Sequence, residues 1–82
     1  EIDIIALKDK KLHFIEVKSV SHETSISPED NLTPQKLKKL YKTIEVYLMS
    51  LKNEPEWQLD LACVYLNHKD KTARVKFIEN IC

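Results

Sequence analysis

Two short runs rich in β-branched and aromatic residues, EIDIIAL (1–7) and LHFIEVKSV (12–20), flank the polar stretch Lys8-Asp9-Lys10-Lys11. Apolar runs this short, divided only by charged residues, read as the two arms of a β-hairpin. If a two- or four-residue loop is centred between Asp9 and Lys10, opposed positions sum to 19. Leu7 then faces Leu12, Ile5 faces Phe14, Asp3 faces Glu16 and Glu1 faces Lys18. Side chains alternate between the faces of a strand, so these eight share one face. The reverse face pairs Ile2 with Val17, Ile4 with Ile15 and Ala6 with His13. Asp-Lys is a poor match to the Asn-Gly or Asp-Gly pairs that favour a type I′ turn, so the turn adds little to this register.

The remainder supplies one helix and two more strands. Residues 21–33 have loop composition, and Thr33-Pro34 then offers an N-cap followed by proline at the first helical position. Leu37, Leu40, Ile44, Leu48 and Leu51 recur at spacings of three and four, an apolar stripe flanked by Tyr41 and Tyr47. The helix is predicted to run to about Lys52 and stop at Asn53-Glu54-Pro55. Residues 58–66 are almost continuously apolar after Asp60, which suits a strand covered on both faces. Asn67 to Lys71 reads as a turn, and residues 72–79 alternate Val75 and Phe77 with Arg74 and Lys76 as an edge strand. The order β-β-α-β-β is an α/β layer arrangement. Trp57 is expected to pack at the entry to the third strand, Cys63 in the core, and Asp60 in a cap or ion pair. His13, His22 and His68 suggest no ligand set.

Eighty-two residues make one small domain, 1–82, with a thin stability margin. Apolar content of 43% and charged content of 32% exclude a disordered chain. No apolar run here is long enough to span a membrane, and no positively charged segment is followed by the apolar stretch that would mark a secretory signal. Cys63 and Cys82 form neither a disulfide framework nor a metal spacing, which fits a reducing cytoplasm. The chain has no glycine and begins at Glu1 without methionine, in mid-pattern. Both features lead us to expect an N-terminally incomplete domain.

The charges of the hairpin gather at the end far from its turn. Opposed Cβ atoms lie about 4.5–5.5 Å apart, close enough for Asp3 and Glu16 to raise each other's cost of ionising. A divalent cation relieves such a pair, and magnesium accepts one or two protein carboxylates beside waters and phosphate oxygens. A neighbouring lysine can stabilise charge on a phosphate or orient an attacking water. A solvated strand face with a plain Glu1–Lys18 ion pair is the competing reading. Lys36, Lys38, Lys39 and Lys42 form a second local concentration of charge, readable as a solvated helix face. The formal net charge is zero, so no global basic field advertises nucleic acid.

An acidic residue on one strand followed by Glu-x-Lys on the next resembles the PD-(D/E)XK nuclease superfamily, which includes archaeal Holliday-junction resolvases and many restriction enzymes. EIDIIA, FIEVKS, TPQKLKKL…YL and VKFIENIC look more closely like the YraN-like family, a bacterial group of predicted endonucleases. That resemblance covers essentially the whole chain. It implies a restriction-endonuclease-like mixed sheet and a Mg2+- or Mn2+-dependent hydrolase acting on DNA. By position it makes Asp3 and Glu16 metal-binding carboxylates, adds the Val17 carbonyl as a ligand, and makes Lys18 the catalytic lysine. Glu1 matches an accessory acid. Gln35 and Lys36 at the helix start, with Lys39 beyond them, become nucleic-acid contacts, since helix N-termini favour anions. The family ordinarily begins with a helix and a first strand that this chain lacks, which would leave a sheet face open, to a second copy among other partners.

Three functional readings follow. The first is a metal-dependent endonuclease for DNA, branched or damaged DNA included. The second is a nucleic-acid-binding domain that keeps the fold without catalysis. The third is an interaction domain whose open sheet face binds another chain, as in a homodimer.

Overall fold

The computed structural model describes residues 2–21 and 32–81. Glu1 and its pairing with Lys18, most of the segment read as loop 21–33, His22 and Cys82 lie outside the described residues. A four-stranded mixed sheet runs in the order β1 (Ile4–Lys8), β2 (Lys11–Ser21), β3 (Glu56–Asn67), β4 (Thr72–Ile78), and one helix, α1 (Pro34–Met49), connects β2 to β3. The chain thus has the mixed α/β order β-β-α-β-β.

The hairpin register is the one the alternation predicts. Ile4 pairs with Ile15, Ile5 with Phe14, Ala6 with His13 and Leu7 with Leu12. Asp9 and Lys10 close it as a two-residue loop, both at positive φ (52° and 66°). Two successive left-handed residues are the type I′ requirement, met here without the glycine that normally eases it. β3 lies parallel to β2, with Phe14 beside Leu59 and Lys18 beside Cys63. The return into antiparallel β4 sets Cys63 against Lys76 and Tyr65 against Arg74. Its turn is held by Asn67 and Asp70, the Asn67 amide donating to Asp70 at 3.0 Å and the Asp70 N–H to Asn67 Oδ1 at 3.1 Å.

α1 begins as expected. Thr33 is extended, its hydroxyl accepts from the Lys36 N–H at 3.3 Å, and Pro34 occupies the first helical position. It ends at Met49 and not near Lys52, because Ser50 folds back: both its N–H (3.0 Å) and its hydroxyl (2.6 Å) donate to the Tyr47 carbonyl. Leu40 and Ile44 are buried against Phe14 and Leu59, with Leu12, Leu37, Leu48 and Trp57 packed around them. Each fully buried side chain of this kind contributes roughly 1.5–3 kcal/mol, so so small a core leaves little to spare. Edge-to-face contacts join Phe14 to Tyr47 (5.7 Å) and to Trp57 (5.8 Å), and Tyr41 to Trp57 (6.0 Å).

Two details depart from the sequence reading. Ile2 does not face Val17; the backbone bends at Asp3, and Ile2 packs with the core on the helix side. β3 is covered on both faces only in its first half, where Gln58 to Leu61 are buried, while Val64 to Leu66 are half-buried. On the face away from α1, no described element covers Ile4, Val75 and Phe77, which are 47%, 62% and 48% exposed.

Candidate functional site

Asp3, Glu16 and Lys18 meet at the open end of the hairpin, on the helix side of the sheet. The ladder stops at Ile4, one residue short of the Asp3–Glu16 pairing. In place of that rung, the Asp3 carboxylate accepts the backbone N–H of Val17 at 2.9 Å. Asp3 is therefore fixed by the main chain of the strand that carries the other two residues. Glu16 follows Phe14 on the buried side of β2 and is only 9% exposed. Its carboxyl lies close enough to that of Asp3 for each to shift the other's titration, and Lys18 Nζ stands 3.6 Å from its Oε2.

The two carboxyls titrate in opposite directions. Hydrogen bonding from Glu16, then from the Val17 N–H, holds Asp3 below the usual carboxylate range. Burial, reinforced by the Asp3 carboxylate, pushes Glu16 up to about 6, with Lys18 pulling the other way. Below about pH 6 the pair holds one proton, and above it two like charges face each other in the same small space. Such a pair suits a hard divalent cation, which favours oxygen donors and neutralises both charges. No group of three or more His, Cys, Asp or Glu able to hold a metal occurs among the described residues. A cation here would rest on two carboxylates, a donor count that magnesium accepts and that leaves room for water and phosphate oxygens. The donors present fit it.

Gln35, Lys36 and Lys39 all lie in the first two turns of α1. At 100° per residue Lys36 points to one flank, while Gln35, Lys38, Lys39 and Lys42 turn outward from the core. Gln35, Lys38, Lys39 and Lys42 line one shallow surface depression. The first turn holds no acidic residue and the last no basic one. That arrangement runs against the helix dipole and so weakens the helix, while keeping its N-terminal half receptive to anions.

The sequence reading missed one polar centre. Asp60 is fully buried, and its carboxylate accepts from His13 Nδ1 (2.9 Å), Gln58 Nε2 (2.7 Å) and the Asn80 N–H (2.8 Å). Burial works to raise its pKa, but these hydrogen bonds together hold it below the ordinary value. Asn80 is at positive φ (52°), and Ile81 rejoins Leu59 one residue late, so the end of the chain forms a bulge around the carboxylate. Asp60 is the acceptor at the centre of this cluster, and His13 is one of its partners. The contact joins residues 47 apart in sequence, and no local pattern signals it. His13 and Asp60 lie on the face opposite Glu16, apart from the carboxylate pair.

Comparison with known proteins places this geometry in a family. Residues 1–76 match the uncharacterised protein family UPF0102. A UPF0102 protein of Campylobacter lari is 49% identical over 99% of this chain and 65% of its own length. One from Helicobacter hepaticus is 46% identical over 99% of the chain and 66% of its own length. One from Campylobacter fetus is 41% identical, again over 99% and 65%. The chain thus spans about 65% of the length of the curated relatives it matches. No solved structure matches it significantly. With the match running through the hairpin, the helix and both later strands, the chain belongs to UPF0102, the YraN family.

Proposed function

We propose that this chain carries the catalytic residues of a metal-dependent endonuclease that hydrolyses phosphodiester bonds in DNA, with branched or damaged DNA among its substrates. The observation that carries the reading is the convergence of Asp3, Glu16 and Lys18: one carboxylate fixed on the Val17 N–H, a second buried beside it, and an ammonium 3.6 Å from the second. A bound Mg2+ or Mn2+ would neutralise the carboxylates, draw in a phosphate oxygen and activate water for attack. Asp3 is held ready by the Val17 N–H, and burial keeps competing water from Glu16. Lys18, half-buried at the rim, places a fixed positive charge where the phosphate gains negative charge. Val17 supports the site through its N–H, and a ligand role for its carbonyl remains part of the proposal. Lys36, on one flank of α1, and Gln35 and Lys39, on its outward face, are assigned to the phosphates beyond the cleaved one.

The test is a titration of Mg2+ or Mn2+ into the protein with duplex, single-stranded, nicked and branched DNA. Metal-dependent cleavage is expected, falling by about 100-fold or more in Asp3→Ala and Lys18→Ala, the usual effect of removing a group that meets developing charge. If wild type and both variants share one background rate, the catalytic reading is wrong.

A further inference from the structure

On the helix side of the sheet, the strand register lines up two rows beyond Glu16. The first reads Lys18, Cys63, Lys76 across β2, β3 and β4, and the second Val20, Tyr65, Arg74. The Arg74 guanidinium carbon stands 4.6 Å from the centre of the Tyr65 ring, so both side chains rise from this same face. Neither row contains an acidic residue. In a chain of zero net charge, three cations are thus gathered beside the carboxylate pair. Strand spacing puts the Lys18 and Lys76 backbones about 10 Å apart, and Arg74 about 7 Å further along. Edge strands often carry charge merely to block pairing. That purpose needs no aromatic partner and no alignment with Lys18.

A flat cation held over a tyrosine is a platform for a base. Arginine planes and aromatic rings both stack unpaired bases, and lysines beside them track the backbone. A paired base cannot reach such a platform without leaving its stack. We infer that Tyr65, Arg74 and Lys76 form a binding surface for an unpaired DNA strand, which crosses the sheet from Lys18 toward β4 with one base stacked on Arg74. This rests on the proposed function for its substrate class and deepens it: the strand entering the carboxylate site is single-stranded at this point.

The test separates binding from cleavage. Fluorescence anisotropy is measured in EDTA, where hydrolysis cannot occur, with a labelled single-stranded oligonucleotide and with its duplex. The single strand should bind more tightly than the duplex. Arg74→Ala should weaken its binding by at least about five-fold, the low end of what one stacked base is worth. Arg74→Lys, which keeps the charge and loses the plane, should recover only part of that loss. Lys76→Ala should weaken binding and lower the steepness of the salt dependence by roughly one phosphate. All three positions are exposed or half-buried, and unchanged thermal melts of the variants exclude misfolding as the cause. Equal binding by Arg74→Ala, full recovery in Arg74→Lys, or a preference for duplex overturns the inference. A protein that binds in this way but cleaves nothing overturns the catalytic reading alone.

Discussion

Replacing Glu16 by Gln should stabilise the protein at pH 8 while destroying the proposed hydrolysis. In the fold, burial and the Asp3 carboxylate push Glu16 from 4.5 up to about 6. The folded chain therefore holds this proton more tightly than the unfolded chain does. The associated stability is fully present below about pH 4.5 and is lost as pH rises through about 6. The difference amounts to about 2 kcal/mol, and with the side chain only 12% exposed it needs little reduction for screening. Asp3 works the other way: its lowered pKa gives stability present above 3.8 and lost only as pH falls below that, outside the window that matters. Glutamine has nearly the shape of the protonated acid and can donate to Asp3 at every pH. Wild type should lose about 2 kcal/mol more than Glu16→Gln between pH 4.5 and pH 8. Urea unfolding of both proteins across that range measures it, since other titrating groups cancel between them. Millimolar Mg2+ at pH 8 should stabilise wild type and leave the variant unchanged, because bound ligand favours the fold that binds it. Parallel pH curves, or a variant less stable than wild type at pH 8, would refute the shared-proton account.

Two further outcomes probe the scaffold. Asp60→Ala removes the acceptor from three donors, those of His13, Gln58 and Asn80, two of them on buried or half-buried groups, and should cost about 3–5 kcal/mol in urea unfolding; a loss below about 1 kcal/mol would mean that water serves these groups equally well. Lys10→Gly turns the hairpin loop into Asp-Gly at a position already at φ 66°, and a gain of about 0.5–1 kcal/mol is expected; no gain would show that the lysine adopts that conformation without strain.

The hairpin was legible because its information is local. A period of two and a short polar break give the register, and that register alone puts Asp3 near Glu16. What pairing rules do not supply is the replacement of the last rung by a side chain: Asp3 takes the Val17 N–H, and Ile2 is thereby turned to the helix side. The helix start was legible from Thr33-Pro34, whereas its end depended on Ser50 turning back to Tyr47, a choice that many residues could make. The parallel β2–β3 pairing and the His13–Asp60 bond join distant segments, and nothing in the spacing of either segment points to the other. The Tyr65–Arg74 stack was within reach, since the turn between Asn67 and Thr72 fixes that register, but β4 looked like an ordinary charged edge.

The long parallel ladder between β2 and β3 also has a kinetic meaning. Asp3, Glu16 and Lys18 belong to one hairpin, and Tyr65, Arg74 and Lys76 to the other; each hairpin closes over a few residues and can form in microseconds. The ladder that joins them pairs residues 45 apart in sequence, and pairing of that kind is intrinsically slow. The carboxylate pair and the stacking platform are thus made separately and early. The surface that would use them together comes into being only with the last long-range contacts of folding.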